Sequence, residues 1–274
     1  MTARRDTLER IADALERLAP VSSEPDWLNA PAYVWDGLRA RPVAELDALP
    51  LVTLRGVDEQ KAAFLTNVER LATGAAAQDT LLWGARGMGK SALVRAAVAA
   101  VQRERPGAIA LVQVSASALG TVPELLRQLA EMQRRFLLFV DDLGFGADEK
   151  AAMLSVRSLL DGGVTPRPSG VRVVITSNRR AIVQRDVNES EALHERDARD
   201  DALALADRFG LTLGFHPCDR ETFLDIVRAY TEPLGLTFDD EEALAFAIAR
   251  GNRSGRTAHQ FATDLAGRAG LPAH

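Results

Sequence analysis

The chain has 274 residues, of which 47% are hydrophobic and 26% are charged, and its formal net charge is −5 at pH 7. This composition is that of a globular protein and excludes disorder of the whole chain. The negative net charge argues against a strong overall attraction to nucleic acid or to anionic membranes, although a local basic patch stays possible. The length fits one large domain with a small appendage.

Cysteine and histidine are scarce in this sequence. The single cysteine, Cys218, excludes an intrachain disulfide, and the four histidines match no zinc-site spacing. No apolar run approaches the ~20 residues that a membrane helix needs, and the polar start of the chain is unlike a signal peptide. We therefore expect a cytoplasmic protein that does not bind a membrane.

The first fifty residues differ in character from the rest. Residues 7–18 carry leucine and isoleucine at helical spacing, which predicts an amphipathic helix that packs either on the body of the protein or on a partner. Residues 19–50 are rich in proline and alanine, and we interpret them as an irregular, partly ordered arm. A further helix is predicted over residues 57–73.

Between residues 80 and 215, short apolar segments alternate with helical ones. The predicted strands cover residues 80–83, 109–114, 136–140, 171–176 and 211–215. The predicted helices between them cover residues 90–103, 122–133 and 150–160. Near-continuous apolar strands separated by helices are typical of a parallel sheet covered on both faces. The sequence therefore predicts an α/β fold, an αβα sandwich with a five-stranded parallel sheet.

The strand pattern ends after Pro217. An acidic segment before it, residues 185–201, predicts a solvated loop or an exposed helix. Three amphipathic helices are predicted after it, over residues 219–231, 240–250 and 255–268. We accordingly divide the chain into an N-terminal helix and arm (1–50), an αβα core (51–216) and a small C-terminal helical lid (217–274).

The segment Gly84–Ser91, GARGMGKS, fits the phosphate-binding pattern G-x-x-x-x-G-K-[ST] without a mismatch. A predicted strand precedes it and a predicted helix follows it, as the pattern requires. Glycines let successive backbone N–H groups point at phosphate oxygens, and the start of the helix adds positive potential. We expect Lys90 to reach the β- and γ-phosphates and Ser91 to ligate Mg²⁺. The predicted nucleotide-binding residues here are Gly84, Ala85, Arg86, Gly87, Met88, Gly89, Lys90, Ser91 and Ala92.

Polar side chains also follow two other predicted strands. Asp141 and Asp142 come directly after the strand at 136–140, and Asn178 follows the strand at 171–176. Ligands of open α/β sheets bind at the carboxyl edge, where these strands end. Asp141 can hold Mg²⁺ through water, Asp142 can orient or deprotonate an attacking water, and Asn178 can position that water. Each residue taken alone also fits a simple strand-to-loop cap or a turn.

These three elements in this order, with a helical C-terminal segment, resemble the AAA+ ATPases over residues 50–268. In that resemblance Gly84–Ser91 is Walker A, Phe136–Asp142 is Walker B and Asn178 is sensor 1. The resemblance implies an ATP–Mg²⁺ site between the sandwich and the lid, and attack of water on the γ-phosphate.

The same resemblance implies roles for three more residues. The loop 56–60 resembles the nucleotide-base loop of such domains, which makes Val57 a predicted base contact. Arg208 stands where many members carry an arginine finger, a residue that acts on the nucleotide of a neighbouring subunit and so implies a homo-oligomer. Arg256 resembles sensor 2. Arg208 can instead be a surface residue that pairs with Asp207 or caps a helix, and Arg256 can be a solvated side chain.

A closer resemblance is to the bacterial DUF815 family of AAA-family ATP-binding proteins. The stretches that carry it are GVDEQKAAFLTNVERL, LLWGARGMGKSALV, FLLFVDDLGF, ITSNRR, LADRFGLTLGFHP and RGNRSGRTAHQF. This family label brings little function with it.

The chain departs from the superfamily pattern in two places. The usual Walker B pair is Asp-Glu, whereas Asp141 and Asp142 stand here; the shorter second carboxylate puts the rate of hydrolysis in question, because catalysis is sensitive to a misplacement of ~1 Å. Residues 115–135 lack the aromatic residue that substrate-threading unfoldases carry in their pore loop, which argues against a peptide translocase.

Three functions therefore stay open. The first is an ATPase that remodels or assembles a macromolecular partner. The second is a weakly hydrolysing, ATP-dependent switch or scaffold. The third is a DNA-associated loader, for which Arg179, Arg180 and Arg253 offer only weak support, because no aromatic residues are interleaved with them.

Overall fold

The computed structural model describes residues 26–144, 150–162, 166–178 and 204–272. The predicted helix 7–18 and the acidic segment 185–201 lie outside the described residues, as do Arg179 and Arg180. Within the described ranges, no helix has the length and apolar character needed to span a bilayer.

The described residues form a single seven-stranded sheet with helices packed on it. The strands are β1 (Ala32–Trp35), β2 (Ala40–Val43), β3 (Thr80–Gly84), β4 (Ile109–Val114), β5 (Arg135–Val140), β6 (Val171–Ser177) and β7 (Leu211–Phe215). The helices are α1 (Asp58–Thr73), α2 (Lys90–Glu104), α3 (Val122–Ala130), α4 (Lys150–Asp161), α5 (Arg220–Thr231), α6 (Asp240–Ala249) and α7 (Gly255–Arg268). Short 3-10 helices cover Leu51–Thr53, Ala116–Thr121 and Glu232–Leu234.

The strand order is β2-β1-β4-β5-β6-β3-β7, and every neighbouring pair is parallel except β1 with β2. All five predicted strands are present, which confirms the α/β fold with a mostly parallel sheet. The register pairs Leu82 of β3 with Thr176 of β6, and Gly84 of β3 with Phe215 of β7. The carboxyl ends of these strands therefore meet at one edge, at the start of the phosphate loop.

Two hydrophobic cores lie on opposite faces of the sheet. Leu82 and Phe139 belong to the core that packs against α1, α2 and the C-terminal helices, whereas Leu81 and Leu138 belong to the core under α3 and α4. Successive residues of a strand point to opposite faces, so a strand buried on both faces needs an apolar residue at nearly every position. This is the physical origin of the continuous apolar runs in the sequence.

The interpretation of residues 19–50 as an irregular arm is wrong for residues 32–43. The strand β1 extends the sheet by pairing in parallel with β4, and β2 pairs with β1 in antiparallel orientation. Tyr33 and Trp35 are buried, and the Trp35 indole Nε1 donates a hydrogen bond to Thr121 Oγ1 at 2.9 Å. The sheet consequently has seven strands, not five. Strands of four residues are too short to show a clear period, and their pairing depends on residues about eighty positions away.

A buried arginine ties the segment before β1 to the sheet. The Arg134 guanidinium Nη1 donates to the carbonyl oxygens of Trp27, Leu28 and Ala30 at 2.8–3.0 Å. Its Nη2 donates to the carbonyl of Ile109 at 3.0 Å. Arg134 thus satisfies four backbone acceptors, three of them in a segment without regular structure.

Replacing Arg134 with methionine should lower the free energy of unfolding by about 3–4 kcal/mol, because carbonyl groups that are buried or half-buried lose a charged donor. Urea unfolding monitored by tryptophan fluorescence measures this change. Arg220 is a matched control, since its ion pair with Glu241 is exposed and its replacement by methionine should change stability by less than about 1 kcal/mol. Equal effects of the two substitutions would contradict this role of Arg134.

The three C-terminal helices each begin at a side-chain cap. Asp219, Asp239 and Ser254 accept hydrogen bonds from backbone N–H groups three residues later. Such caps satisfy donors that the first turn of a helix leaves free. Cys218, a buried free cysteine, donates its thiol to the carbonyl of Arg253 at 3.2 Å and links the end of the sheet to the start of α7. The division at residues 50 and 216 remains a prediction.

Candidate functional site

The loop between β3 and α2 turns back on the end of β7. Gly84, Gly87 and Gly89 have φ values of 116°, 79° and 88°, a region that side chains disfavour. A Cβ on Gly84 would lie 2.1 Å from the carbonyl oxygen of Phe215. That carbonyl accepts the N–H of Ala85 at 2.7 Å. Glycine at position 84 is therefore required by the close approach of two backbones.

Lys90 is the buried cation at the centre of this loop, with 6% of its surface exposed. Its Nζ donates to the carbonyls of Gly84 at 2.9 Å and Ala85 at 2.8 Å, and to Asn178 Oδ1 at 2.9 Å. Burial lowers the pKa of the Lys90 ammonium to about 8; the Asp142 and Asp141 carboxylates oppose this shift and Arg86 and Arg256 add to it.

Asp141 is joined to the loop by two short hydrogen bonds. Its Oδ1 accepts from Ser91 Oγ at 2.6 Å and from Thr176 Oγ1 at 2.6 Å. The serine hydroxyl and the carboxylate are hard oxygen ligands of the kind that Mg²⁺ prefers. An ion bound by the Ser91 hydroxyl would have the Asp141 carboxylate close enough to hold it through one of its water ligands. The predicted metal ligands, Ser91 and Asp141, therefore fit this ion.

Asp142 and Asn178 form a second polar pair beside the first. Asn178 Nδ2 donates to Asp142 Oδ1, while its Oδ1 accepts from Lys90. The Asp142 N–H donates to Thr176 Oγ1 at 2.8 Å. Within the described ranges Asp142 is the one non-glycine residue with positive φ, at 54°, a conformation that costs free energy and tends to occur at functional sites.

Sequence reasoning did not identify Thr176, which joins the two acidic residues. Its hydroxyl donates to Asp141 and accepts from the Asp142 backbone. A threonine in a strand is an ordinary residue, so only the pairing of β6 with β5 shows its role. The signal in the sequence was a polar residue next to the end of a strand that is mostly apolar.

The start of α7 lies directly against the phosphate loop. The Arg256 N–H donates to the carbonyl of Gly87 at 3.1 Å. A Cβ on Gly87 would approach Ser254 Oγ to 2.9 Å, and one on Gly255 would approach the Gly87 carbonyl to 3.1 Å. The start of α7 is thus in backbone contact with the loop, with the exposed Arg256 side chain beside it.

A cavity of about 1140 Å³ opens between the loop and these helices. Most of the predicted site residues line it, namely Val57, Arg86, Gly87, Met88, Gly89, Lys90, Ser91, Ala92, Asp141, Asp142, Asn178 and Arg256. Residues that the sequence did not single out also line it, among them Arg55, Arg95, Tyr230 and His259. Gly84 and Ala85 do not line the cavity, but their carbonyls hold Lys90.

Arg208 is not among the residues that line this cavity. Its Nε donates to Asp161 Oδ1 at 2.5 Å, and its Nη1 donates to the Ala204 carbonyl. The partner is therefore Asp161 at the end of α4, and not Asp207. This position keeps Arg208 away from the nucleotide site of its own chain, so its predicted role on a neighbouring subunit remains a prediction.

Affinity for ADP should fall about tenfold per pH unit above pH 8.5, because the unliganded protein has then released the Lys90 proton that phosphate binding requires. The nucleotide adds no change of its own, since phosphate completes its ionisation near pH 6. Calorimetric titration between pH 7.5 and 9.5 measures this slope.

The control is Lys90→Arg, whose affinity should be flat over this range, because a guanidinium stays charged. In the unliganded protein, the lowered pKa of Lys90 makes the stability of the fold rise with pH, whereas it makes ADP affinity fall. The unfolded chain holds the lysine proton up to about pH 10.4, so stability should rise with pH between 8 and 10. A flat ADP affinity for the original protein would contradict a lowered Lys90 pKa that phosphate binding reverses.

Three solved structures of similar fold have 16–17% sequence identity with this chain. Orc1 of Aeropyrum pernix in complex with DNA has a TM-score of 0.57 at 17% identity, over 79% of this chain and 61% of the Orc1 chain. The AAA domain of FIGL-1 in complex with ADP has a TM-score of 0.53 at 17% identity, over 81% of this chain and 75% of that chain. A RuvB variant of Thermotoga maritima has a TM-score of 0.52 at 16% identity, over 82% of this chain and 68% of the RuvB chain. The chain thus spans about three fifths of Orc1, and these identities establish a common fold alone.

At the level of sequence, no curated protein matches the chain. The family described as "Protein of unknown function (DUF815)" matches residues 28–269, which include the whole phosphate loop and the C-terminal helices. The chain therefore belongs to the DUF815 family, and its fold is that of the AAA+ ATPases.

Proposed function

We propose that the chain binds ATP with Mg²⁺ in this cavity, hydrolyses it, and uses the change of nucleotide state to remodel or assemble a macromolecular partner. One observation carries this proposal. Lys90, the Ser91–Asp141 pair and the Asn178–Asp142 pair converge on one cavity that α7 closes. Such convergence at the carboxyl edge of a parallel sheet favours a phosphate ligand.

The charges around the cavity agree with this ligand. Its lining has two more cationic than acidic side chains among the described residues, in a chain whose net charge is −5. The cations are Arg55, Arg86, Lys90, Arg95 and Arg256, and the acids are Asp47, Asp141 and Asp142. A local positive excess in an acidic protein attracts polyanions to this one place.

In the proposed reaction each side chain has a separate task. Lys90 exchanges its carbonyl and Asn178 contacts for phosphate oxygens and stabilises the charge of the transition state. Asn178 holds Asp142 in place, and Asp142 orients the attacking water or takes its proton. Mg²⁺, held by Ser91 and through water by Asp141, would neutralise charge on the β- and γ-phosphates.

Contact between α7 and the loop couples the site to the rest of the molecule. The Gly87 carbonyl that accepts from Arg256 belongs to the peptide chain that must wrap the phosphates. A ligand that moves this loop therefore also moves the C-terminal helices, and such displacements expose or hide surfaces for a partner.

The metal site gives the sharpest test of this proposal. Ser91→Ala should remove most of the Mg²⁺-dependent gain in ATP affinity and leave the affinity for metal-free ADP within about twofold, because it deletes only a metal ligand. Ser155→Ala is the control, since the Ser155 hydroxyl bonds the Ala151 carbonyl within α4 and does not line the cavity. Calorimetry with and without Mg²⁺ on the full chain measures both. Absence of any nucleotide binding by the original protein would refute the proposal.

One observation favours the second candidate, a weakly hydrolysing switch. The side chain of Asp142 is one methylene shorter than the usual glutamate. It accepts a hydrogen bond from Asn178, and its Oδ2 lies 3.7 Å from Arg86 Nη2. A carboxylate held in this way is less able to reach a water. If the protein is a switch, Asp142→Glu should raise the turnover rate by tenfold or more while ATP affinity stays unchanged; if it is an active ATPase, Asp142→Glu should gain little.

A further inference from the structure

We propose that Arg95, on the helix that follows the phosphate loop, binds the α-phosphate end of the nucleotide. This inference rests on the proposed nucleotide binding and adds to it a residue that the phosphate-loop pattern does not contain. Two observations support it. Arg95 lines the cavity, and its guanidinium has no acceptor among the described residues.

The place of Arg95 on α2 directs it to this ligand. It comes four residues after Ser91 and three after Ala92, and residues at these spacings lie on the same face of a helix. All three line the cavity. Since one turn of helix rises about 5.4 Å, Arg95 stands one turn away from the residues that serve the γ-phosphate. We infer that its long side chain reaches the α-phosphate and not the γ-phosphate.

The guanidinium of Arg95 has no hydrogen-bond acceptor among the described residues. Its Nε is buried and has no partner, and neither a hydrogen bond nor an ion pair joins its guanidinium to any residue in the described ranges. Arg134 and Arg167 also have one buried nitrogen without a partner, but both are anchored through others, Arg134 on four carbonyls and Arg167 on Asp79 at 2.5 Å. Buried donors are normally satisfied in native proteins, so the acceptor for Arg95 is expected to arrive with a ligand.

The acids around the cavity do not supply this acceptor, since no hydrogen bond or ion pair joins Arg95 to Asp47, Asp141 or Asp142 among the described residues. Asp141 is occupied by Ser91 and Thr176, and Asp142 is occupied by Asn178. The planar guanidinium fork matches two oxygens of a phosphate, which makes such contacts charge-assisted and directional. A nucleotide phosphate is the acceptor that the proposed function brings to this place.

The test compares Arg95→Gln with Arg103→Gln. Arg103 lies two turns further along α2, is exposed, and is absent from the cavity lining, so it matches the charge change without the contact. We expect Arg95→Gln to weaken the binding of ADP and of ATP by the same factor of about ten, because both nucleotides carry an α-phosphate. Arg103→Gln should change neither by more than about twofold. Arg95→Lys, which keeps the charge and loses the fork, should fall between the two.

Several outcomes would overturn this inference. Unchanged ADP affinity in Arg95→Gln is one, and a loss confined to ATP is another, because it would place Arg95 at the γ-phosphate. A change in self-association without a change in ADP affinity would assign Arg95 to a subunit contact. Melting temperatures of the unliganded variants separate misfolding from lost contacts, and Arg95→Lys keeps the test valid if the glutamine variant is unstable. Failure of the original chain to bind ADP would instead refute the proposed function itself.

Discussion

Replacing Lys90 with alanine is expected to weaken ATP binding by about a hundredfold or more and to abolish turnover, because the site loses its one buried ammonium for the β- and γ-phosphates. Its three present acceptors, the carbonyls of Gly84 and Ala85 and the amide of Asn178, would also lose their donor. Equilibrium titration with ATP and a phosphate-release assay measure the two effects.

A variant that alters only the charge of the molecule is the control for this experiment. Arg103→Ala removes one positive charge from the exposed far end of α2 and should leave both affinity and turnover within about twofold. Lys90→Arg keeps the charge but not the compact ammonium, and it should bind nucleotide while turning it over slowly. If Lys90→Ala bound ATP as well as the original protein, the phosphate loop would not be the nucleotide site.

Replacing Arg208 with alanine is expected to reduce turnover about a thousandfold while nucleotide affinity stays unchanged, provided that Arg208 acts on the nucleotide of a neighbouring subunit. The turnover per chain of the original protein should then rise with protein concentration. Both are measured by phosphate release over a wide range of concentrations. Arg208 is now held by Asp161 and the Ala204 carbonyl, so it must leave these partners to act.

Mixing two inactive variants tests the action in trans directly. A Lys90→Ala chain retains Arg208, and an Arg208→Ala chain retains a complete phosphate loop, so mixed assemblies should recover activity that neither variant has alone. Asp161→Asn serves as the control, because it removes the carboxylate partner of Arg208 and leaves the arginine and its Ala204 carbonyl contact in place. Turnover that is independent of concentration and insensitive to Arg208→Ala would identify Arg208 as a surface residue paired with Asp161.

The residues of the phosphate loop were predictable because their chemistry is local. Gly84, Gly89, Lys90 and Ser91 stand at fixed spacing along one continuous segment, and the backbone conformations that they permit are properties of each residue. The apolar runs of the five core strands were predictable for a similar reason, since burial on both faces leaves few positions for polar residues.

The first two strands could not be predicted in this way. β1 and β2 have four residues each, and β1 is held by β4, by Thr121 and, through the preceding segment, by Arg134, all distant in sequence. Proline and alanine around Tyr33 and Trp35 resemble a loop when read alone. Only the sheet edge of β4 decides that these residues form strands, because hydrogen bonding between strands is a long-range interaction.

The sequence by itself determined the five strands β3 to β7, the phosphate loop, and the polar residues Asp141, Asp142 and Asn178 at strand ends, since these depend on neighbouring residues and on simple periods. The tertiary structure alone decided that Thr176 joins the two aspartates, that α7 contacts Gly87, that Asp161 holds Arg208, and that Arg95 faces the cavity without an acceptor. Each of these contacts joins side chains or backbones from separate segments, and their meeting is fixed by how the sheet and helices pack.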